Sequence, residues 1–154
     1  GNGRLRLRER LFHLFFLLRR PMTLGTRVAA FDAEGRVFLV RHTYVAGWHL
    51  PGGGVDPGET CEAAARRELA EEGNIDCPHG VRLVSLHFNR RASRRDHVAF
   101  YRADGVRQRA PRAADREIAE SGFFALSALP GGVTPATRAR LAELAGAAPS
   151  APYW

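Results

Sequence analysis

Lysine is absent from the 154 residues, so all 23 basic side chains are arginine. Alanine is abundant as well, the bias that a GC-rich genome imposes. The net charge of +7 therefore does not by itself identify a polyanionic partner. Cysteine is nearly absent. Cys61 and Cys77 are too few and wrongly spaced for a zinc site or a disulfide framework, and each is expected to be a small buried filler. Nothing else points to an oxidising compartment, which gives the expectation of a cytoplasmic protein. Long hydrophobic runs are missing too. The apolar run Leu11–Leu18 is interrupted by His13, followed by Arg19-Arg20-Pro21, and too short to span a bilayer. It also lacks the small-residue cleavage site of a signal peptide. There are no internal repeats.

What remains is enough chain, 45% of it hydrophobic, for one well-buried domain and too little for two. Its charge is segregated. Residues 1–20 carry six arginines against Glu9, a balance of +5, whereas residues 56–76 carry seven acids against Arg66 and Arg67, a balance of −5. The basic segment, Leu5–Arg20, reads as a helix ended by Pro21. Leu7, Leu11, Leu14 and Leu18 form one apolar stripe and Leu5, Phe12 and Phe16 a second. Three roles fit such a helix: packing on its own domain or on a second subunit, lying on an anionic membrane surface, or meeting a partner protein's helix.

The acidic segment opens with a Gly/Pro-rich loop, Gly52-Gly53-Gly54 and Asp56-Pro57-Gly58, which is not regular structure. Thr60 is an N-cap for a helix over Cys61–Glu72, with Cys61, Ala65 and Leu69 as a small apolar stripe. At 100° per residue Glu68, Glu71 and Glu72 share a different face. Carboxylates that close repel one another unless a hard cation sits between them. A solvated face, with Arg66 and Arg67 making ordinary ion pairs, is the bland alternative.

The loop and helix together resemble the signature of the Nudix hydrolases: Gly53, Glu59 six residues on, then Arg67-Glu68-Leu69-x-Glu71-Glu72 and Ile75. Asn74 stands where that family has glycine, and Gly73 precedes it. The resemblance implies an α/β fold of Nudix type, an α/β/α sandwich with a mixed β-sheet, over residues 23–146. A basic N-terminal helix (1–22) is added, and a tail (147–154) is expected outside the core. It also implies hydrolysis of a phosphoanhydride in a nucleoside diphosphate linked to another group. Mg²⁺ or Mn²⁺ would be held by Glu68, Glu71, Glu72 and the Gly53 carbonyl. Glu68 is the first choice of proton acceptor, with Glu71 beside it, and Glu59 and Arg67 brace the loop. An acid late in the domain, Glu117 or Glu120, is a candidate further ligand or base.

Other expectations come from local pattern. Thr26–Phe31 and Arg36–Arg41 are strands of a hairpin turning at Asp32–Gly35, Arg82–Phe88 and His97–Arg102 a second pair, and Glu117–Phe124 a late strand. Thr134 caps a closing helix that starts at Pro135 and runs to Leu144. Arg41, at a strand end, is a candidate phosphate contact. Trp48 belongs either to the substrate cleft or to the core. His42 and His49 are weaker candidates for substrate contact. The loop Asn89–Arg95 holds four arginines, whose forks suit phosphate oxygens. With the basic N-terminus it motivates an alternative, an RNA 5′-pyrophosphohydrolase. A catalytically inactive nucleotide-binding module is a further alternative, disfavoured because Glu59, Glu68, Glu71 and Glu72 are all present. The proline and tyrosine that mark the ADP-ribose and dinucleoside polyphosphate branches are both missing from the region of Arg90–Ser93.

Overall fold

A computed structural model describes residues 2–154. In chain order the elements are α1 (Asn2–Arg19), β1 (Thr23–Ala30), β2 (Val37–His42), β3 (Trp48–His49), β4 (Gly52–Gly54) and α2 (Cys61–Gly73). They continue with β5 (Ile75–Asp76), β6 (Arg82–Phe88), β7 (Asp96–Ala103), β8 (Arg107–Gln108), β9 (Ile118–Phe124) and α3 (Pro135–Leu144).

The apolar runs of β1, β2 and β7 are continuous because these strands are covered on both faces. Successive side chains point to opposite sides. Val28 and Ala30, Phe38 and Val40, Ala99 and Tyr101 pack with Ala65 and Leu69 of α2. The alternate residues Ala29, Phe31, Val37, Leu39 and Phe100 pack with Leu141 of α3. Two helices thus sandwich the strands, in the α/β/α arrangement expected. The larger sheet is mixed, in the order β4-β1-β7-β6, with β1 and β7 parallel; β3, β2 and β9 form an antiparallel sheet beside it.

Two expectations need correction, and the roles open to the N-terminal helix narrow. The turn at Asp32–Gly35 forms, with Asp32 Oδ1 accepting from the amides of Glu34 and Arg36, but β1 and β2 do not make a hairpin ladder. Only Phe31 and Val37 bridge. Both edges of β1 are taken by β4 and β7, and both edges of β2 by β3 and β9. The tail expected outside the core is docked. The Phe88 amide donates to the Pro152 carbonyl and the Trp154 amide to the Phe88 carbonyl, and the Trp154 indole packs against the α3-side core. Arg140, 2% exposed, stacks on Trp154, donates to the Tyr153 carbonyl and pairs with Glu143 at 2.8 Å. Finally, α1 does not pack on its own domain. Its large apolar side chains are mostly exposed, and the tie at its end runs through Pro21, whose carbonyl accepts from Arg95 Nη1.

Because Trp154 packs against the core, Trp154→Ala is expected to lower stability by about 2 kcal/mol, below the cost of emptying a fully buried aromatic site. Urea unfolding measures this; an unchanged midpoint would mean that the tail contributes nothing.

Candidate active site

The α2 helix begins and ends as its chemistry requires. The Thr60 hydroxyl accepts from the Ala63 amide at 3.0 Å, and Asn74 closes it in the left-handed conformation, φ 54°, ψ 37°. Asparagine tolerates this region better than other non-glycine residues. Gly73 serves a different end. An added Cβ there would lie 2.8 Å from Phe38 Cζ and from Ile75 Cδ1, so only a glycine lets α2 settle on the sheet.

That seating places the three glutamates in different environments. Glu72 is buried. Its Oε2 accepts from the Gly52 amide at 3.0 Å, and its Oε1 lies 3.9 Å from His42 Nε2. Burial pushes its carboxyl up to about 7, against the pull of the Gly52 amide and of Arg27, with Glu68 and Glu117 adding repulsion. Glu68 is half-buried against β4: a Cβ added to Gly53 would sit 2.7 Å from Glu68 Cδ. Its carboxyl is also raised, first by burial and then by Glu71, while Arg67 opposes. Glu71 is exposed, with a carboxylate oxygen 3.4 Å from Arg67 Nη1.

Arg67 joins the loop to this cluster. Its Nε and Nη2 donate to the two oxygens of Glu59 at 2.9 and 2.8 Å, Nη2 also reaches the Gly54 carbonyl at 3.0 Å, and Nη1 donates to Glu68 at 2.9 Å. Glu59 in turn accepts from the Asp56 amide. The guanidinium holds the Glu59 carboxyl down at about 2.

The other candidates separate. Arg41 pairs with Glu120 across β2 and β9 at 3.0 Å and lies over the Trp48 ring. Trp48 itself is buried among α3-side core residues, 5.1 Å from Phe124, so of its two expected roles the structure gives it the core one. By strand alternation Arg41 shares that side with Val37 and Leu39, as Arg27 of β1 does with Ala29. Glu117 is close enough to Glu72 to repel it. Asp115 fixes its backbone by accepting from the Glu117 and Ile118 amides. Two residues gain weight. Arg27 is the cation whose field reaches Glu72 and Glu68; its Nη1 donates to the Leu50 carbonyl at 2.7 Å. It lines a cavity of about 200 Å³ with His49, Leu50, Arg91, Thr134 and Trp154. The signal in the sequence was an arginine inside the apolar strand Thr26–Phe31. His42 is buried and held neutral by that burial and by Arg27; its Nδ1 has no hydrogen-bond partner.

Among the described residues no three His, Cys, Asp or Glu side chains converge as a formed cation site. Glu68 is drawn to Arg67 and Glu72 to the Gly52 amide. The donor set nonetheless suits a hard divalent cation: every ligand would be oxygen, and two buried carboxyls carry raised pKa values that a positive charge would reverse.

Residues 21–144 match the NUDIX domain, and the chain belongs to that family. Its fold is similar to the crystal structure of a MutT NUDIX hydrolase from Burkholderia pseudomallei. The TM-score is 0.63 at 30% identity, covering 75% of this chain and 92% of that one. An ADP-ribose pyrophosphatase from Streptococcus suis is similar at TM-score 0.60 and 25% identity, over 83% of this chain and 94% of that one. An RNA pyrophosphohydrolase from Gluconobacter oxydans is 45% identical over 58 residues, 34% of each chain. The chain thus matches about a third of the length of that curated relative.

The brace has a pH signature. A carboxyl held at about 2 when folded and near 4.5 when unfolded stabilises the protein fully above the unfolded value, and the contribution is lost as pH falls through the folded one. Glu59→Gln is therefore expected to be less stable than the parent at neutral pH, with the gap narrowing as pH drops from 5 towards 2. Urea midpoints across that range measure it; a gap independent of pH would rule out the Glu59–Arg67 pair as its source.

Proposed function

We propose that the chain hydrolyses a phosphoanhydride bond in a nucleoside diphosphate linked to another group. One observation carries the reading: on one face of α2, Glu68 and Glu72 pack beside the β4 glycines, with burial opposing ionisation of both, and Glu71 stands exposed next to them. Mg²⁺ or Mn²⁺ bound by these carboxylates and the Gly53 carbonyl would neutralise pyrophosphate oxygens and acidify water. The remaining work falls to protein groups. Glu68, half-buried beside β4, is the side chain to which we assign the proton of the attacking water. Glu72 is held in place by the Gly52 amide, Glu71 reaches out from the exposed side, and Glu117 is the further acid nearest them. Glu59 and Arg67 keep the loop in register with the helix. Arg27, whose charge reaches Glu68 and Glu72 and which lines a cavity together with Arg91, would meet phosphate oxygens of the substrate.

A second reading concerns the substrate. An RNA 5′ end is supported by the run of arginines leading from the cavity: Arg91 lines it, and Arg94, Arg95, Arg19 and Arg20 line a neighbouring groove of about 560 Å³.

The test is a hydrolysis screen with Mg²⁺ or Mn²⁺ over nucleotide sugars, ADP-ribose, nucleoside triphosphates, dinucleoside polyphosphates and triphosphorylated RNA. Glu71→Gln/Glu72→Gln is expected to lose activity by at least about 100-fold, and full activity in that variant would refute the site. Arg27→Ala is expected to raise KM about tenfold with a smaller change in kcat, as loss of a ground-state phosphate contact does. For RNA, affinity should fall steeply with salt, and removing Arg94 and Arg95 should flatten the slope. A flat response in the parent protein would eliminate RNA.

A further inference from the structure

Two apolar surfaces of the chain lack cover. Eight leucines and phenylalanines of α1 are each more than half exposed. In proteins most helical stability comes from packing an apolar face against other structure. The second surface is a trough of about 420 Å³ on the α2 side of the mixed sheet, beside the first turn of α2. It is lined by Met22, Leu24, Cys61, Leu83, Leu86 and Tyr101. Leu83 and Leu86 are 55% and 59% exposed; the register of β6 on β7 sets them opposite Tyr101 and Ala99.

No residue of α1 lines the trough of its own chain among the described residues: Pro21 follows the helix, and the chain first enters the trough at Met22, just before β1. We propose that α1 of a second copy occupies the trough, and that the exchange is reciprocal, giving a two-fold dimer.

Three observations favour this occupant. The apolar residues of α1 lie on two sides, the Leu7-Leu11-Leu14-Leu18 stripe and the Leu5-Phe12-Phe16 stripe, separated by Arg8 and Arg19. A helix lying on a lipid surface keeps one polar and one apolar face; a helix apolar on two sides is buried between protein surfaces. In the dimer one stripe fills the trough and the other meets the partner's α1 or the flank of its sheet. Charge agrees. The helix segment is basic, while α2, whose first residue Cys61 lines the trough, lies within the acidic stretch 56–76; its Glu62, at 3.6 Å from Arg66, remains largely exposed. The scale agrees as well. A helix of about 27 Å exchanged in both directions supplies an interface on the order of the 1,200–2,000 Å² that stable complexes bury. None of this depends on the hydrolytic chemistry.

Sedimentation of the full chain is expected to show a dimer at about 10 µM. Both Leu14→Glu/Leu18→Glu on the helix and Leu83→Glu/Leu86→Glu on the trough should raise its Kd at least tenfold. All four positions are exposed, so the fold should survive, as circular dichroism would verify. Cys61 adds a direct probe. On mild oxidation, at least one of Leu11→Cys, Leu14→Cys and Leu18→Cys should yield an intermolecular disulfide to Cys61, mapped by mass spectrometry and lost in Cys61→Ser. A monomer at about 100 µM, or a dimer indifferent to the trough substitutions, would overturn the proposal. So would a monomeric chain that pellets with phosphatidylserine vesicles through α1.

Discussion

Three glutamates within one and a half turns of α2 repel one another, and the guanidinium of Arg67 is what makes their crowding tolerable. Its fork grips Glu59 with two donors, reaches the Gly54 carbonyl with one of them, and touches Glu68 and Glu71 with the third nitrogen. No lysine could do this, since a single ammonium lacks the planar pair of donors. The same contact fixes where β4 runs relative to α2, and so where the Gly52 amide meets Glu72. Loop position and helix position thus rest on one side chain, which also favours the ionised forms of Glu59 and Glu68.

The sequence was most legible where a residue's role is local. Thr60 and Thr134 as caps, Pro135 at the start of α3, the turn at Asp32–Gly35 and the carboxylate face of α2 depend on neighbours a few residues away, and all are found there. Reading failed where partners come from afar. The alternation in β1 and β2 reveals strands but carries no record of which edges β4, β7, β3 and β9 occupy. Trp48 had two roles open to it, cleft or core, and its place among the α3-side residues depends on contacts with Phe124 and Val133, far away in the chain. Arg27 is one polar residue in an apolar strand, and nothing local to it reveals that its charge acts on Glu72 and Glu68.

The departure at position 74 illustrates how one function can be divided between adjacent residues. A helix that ends against a sheet needs both a left-handed closing residue and a small one where it touches down. Here Asn74 supplies the backbone conformation and Gly73 the clearance above Phe38. The pair therefore keeps the end of α2 in place without a glycine at the closing position itself.

The docked tail has a bearing on solubility. Strand β6 is the outer strand of the mixed sheet, and an open outer strand offers unpaired amides and carbonyls to any extended chain nearby. Residues 152–154 occupy the Phe88 end of that edge with backbone hydrogen bonds in both directions. Removing them would lay bare a longer template next to the exposed Leu83 and Leu86, turning a short protected border into a place where sheets of different molecules could join.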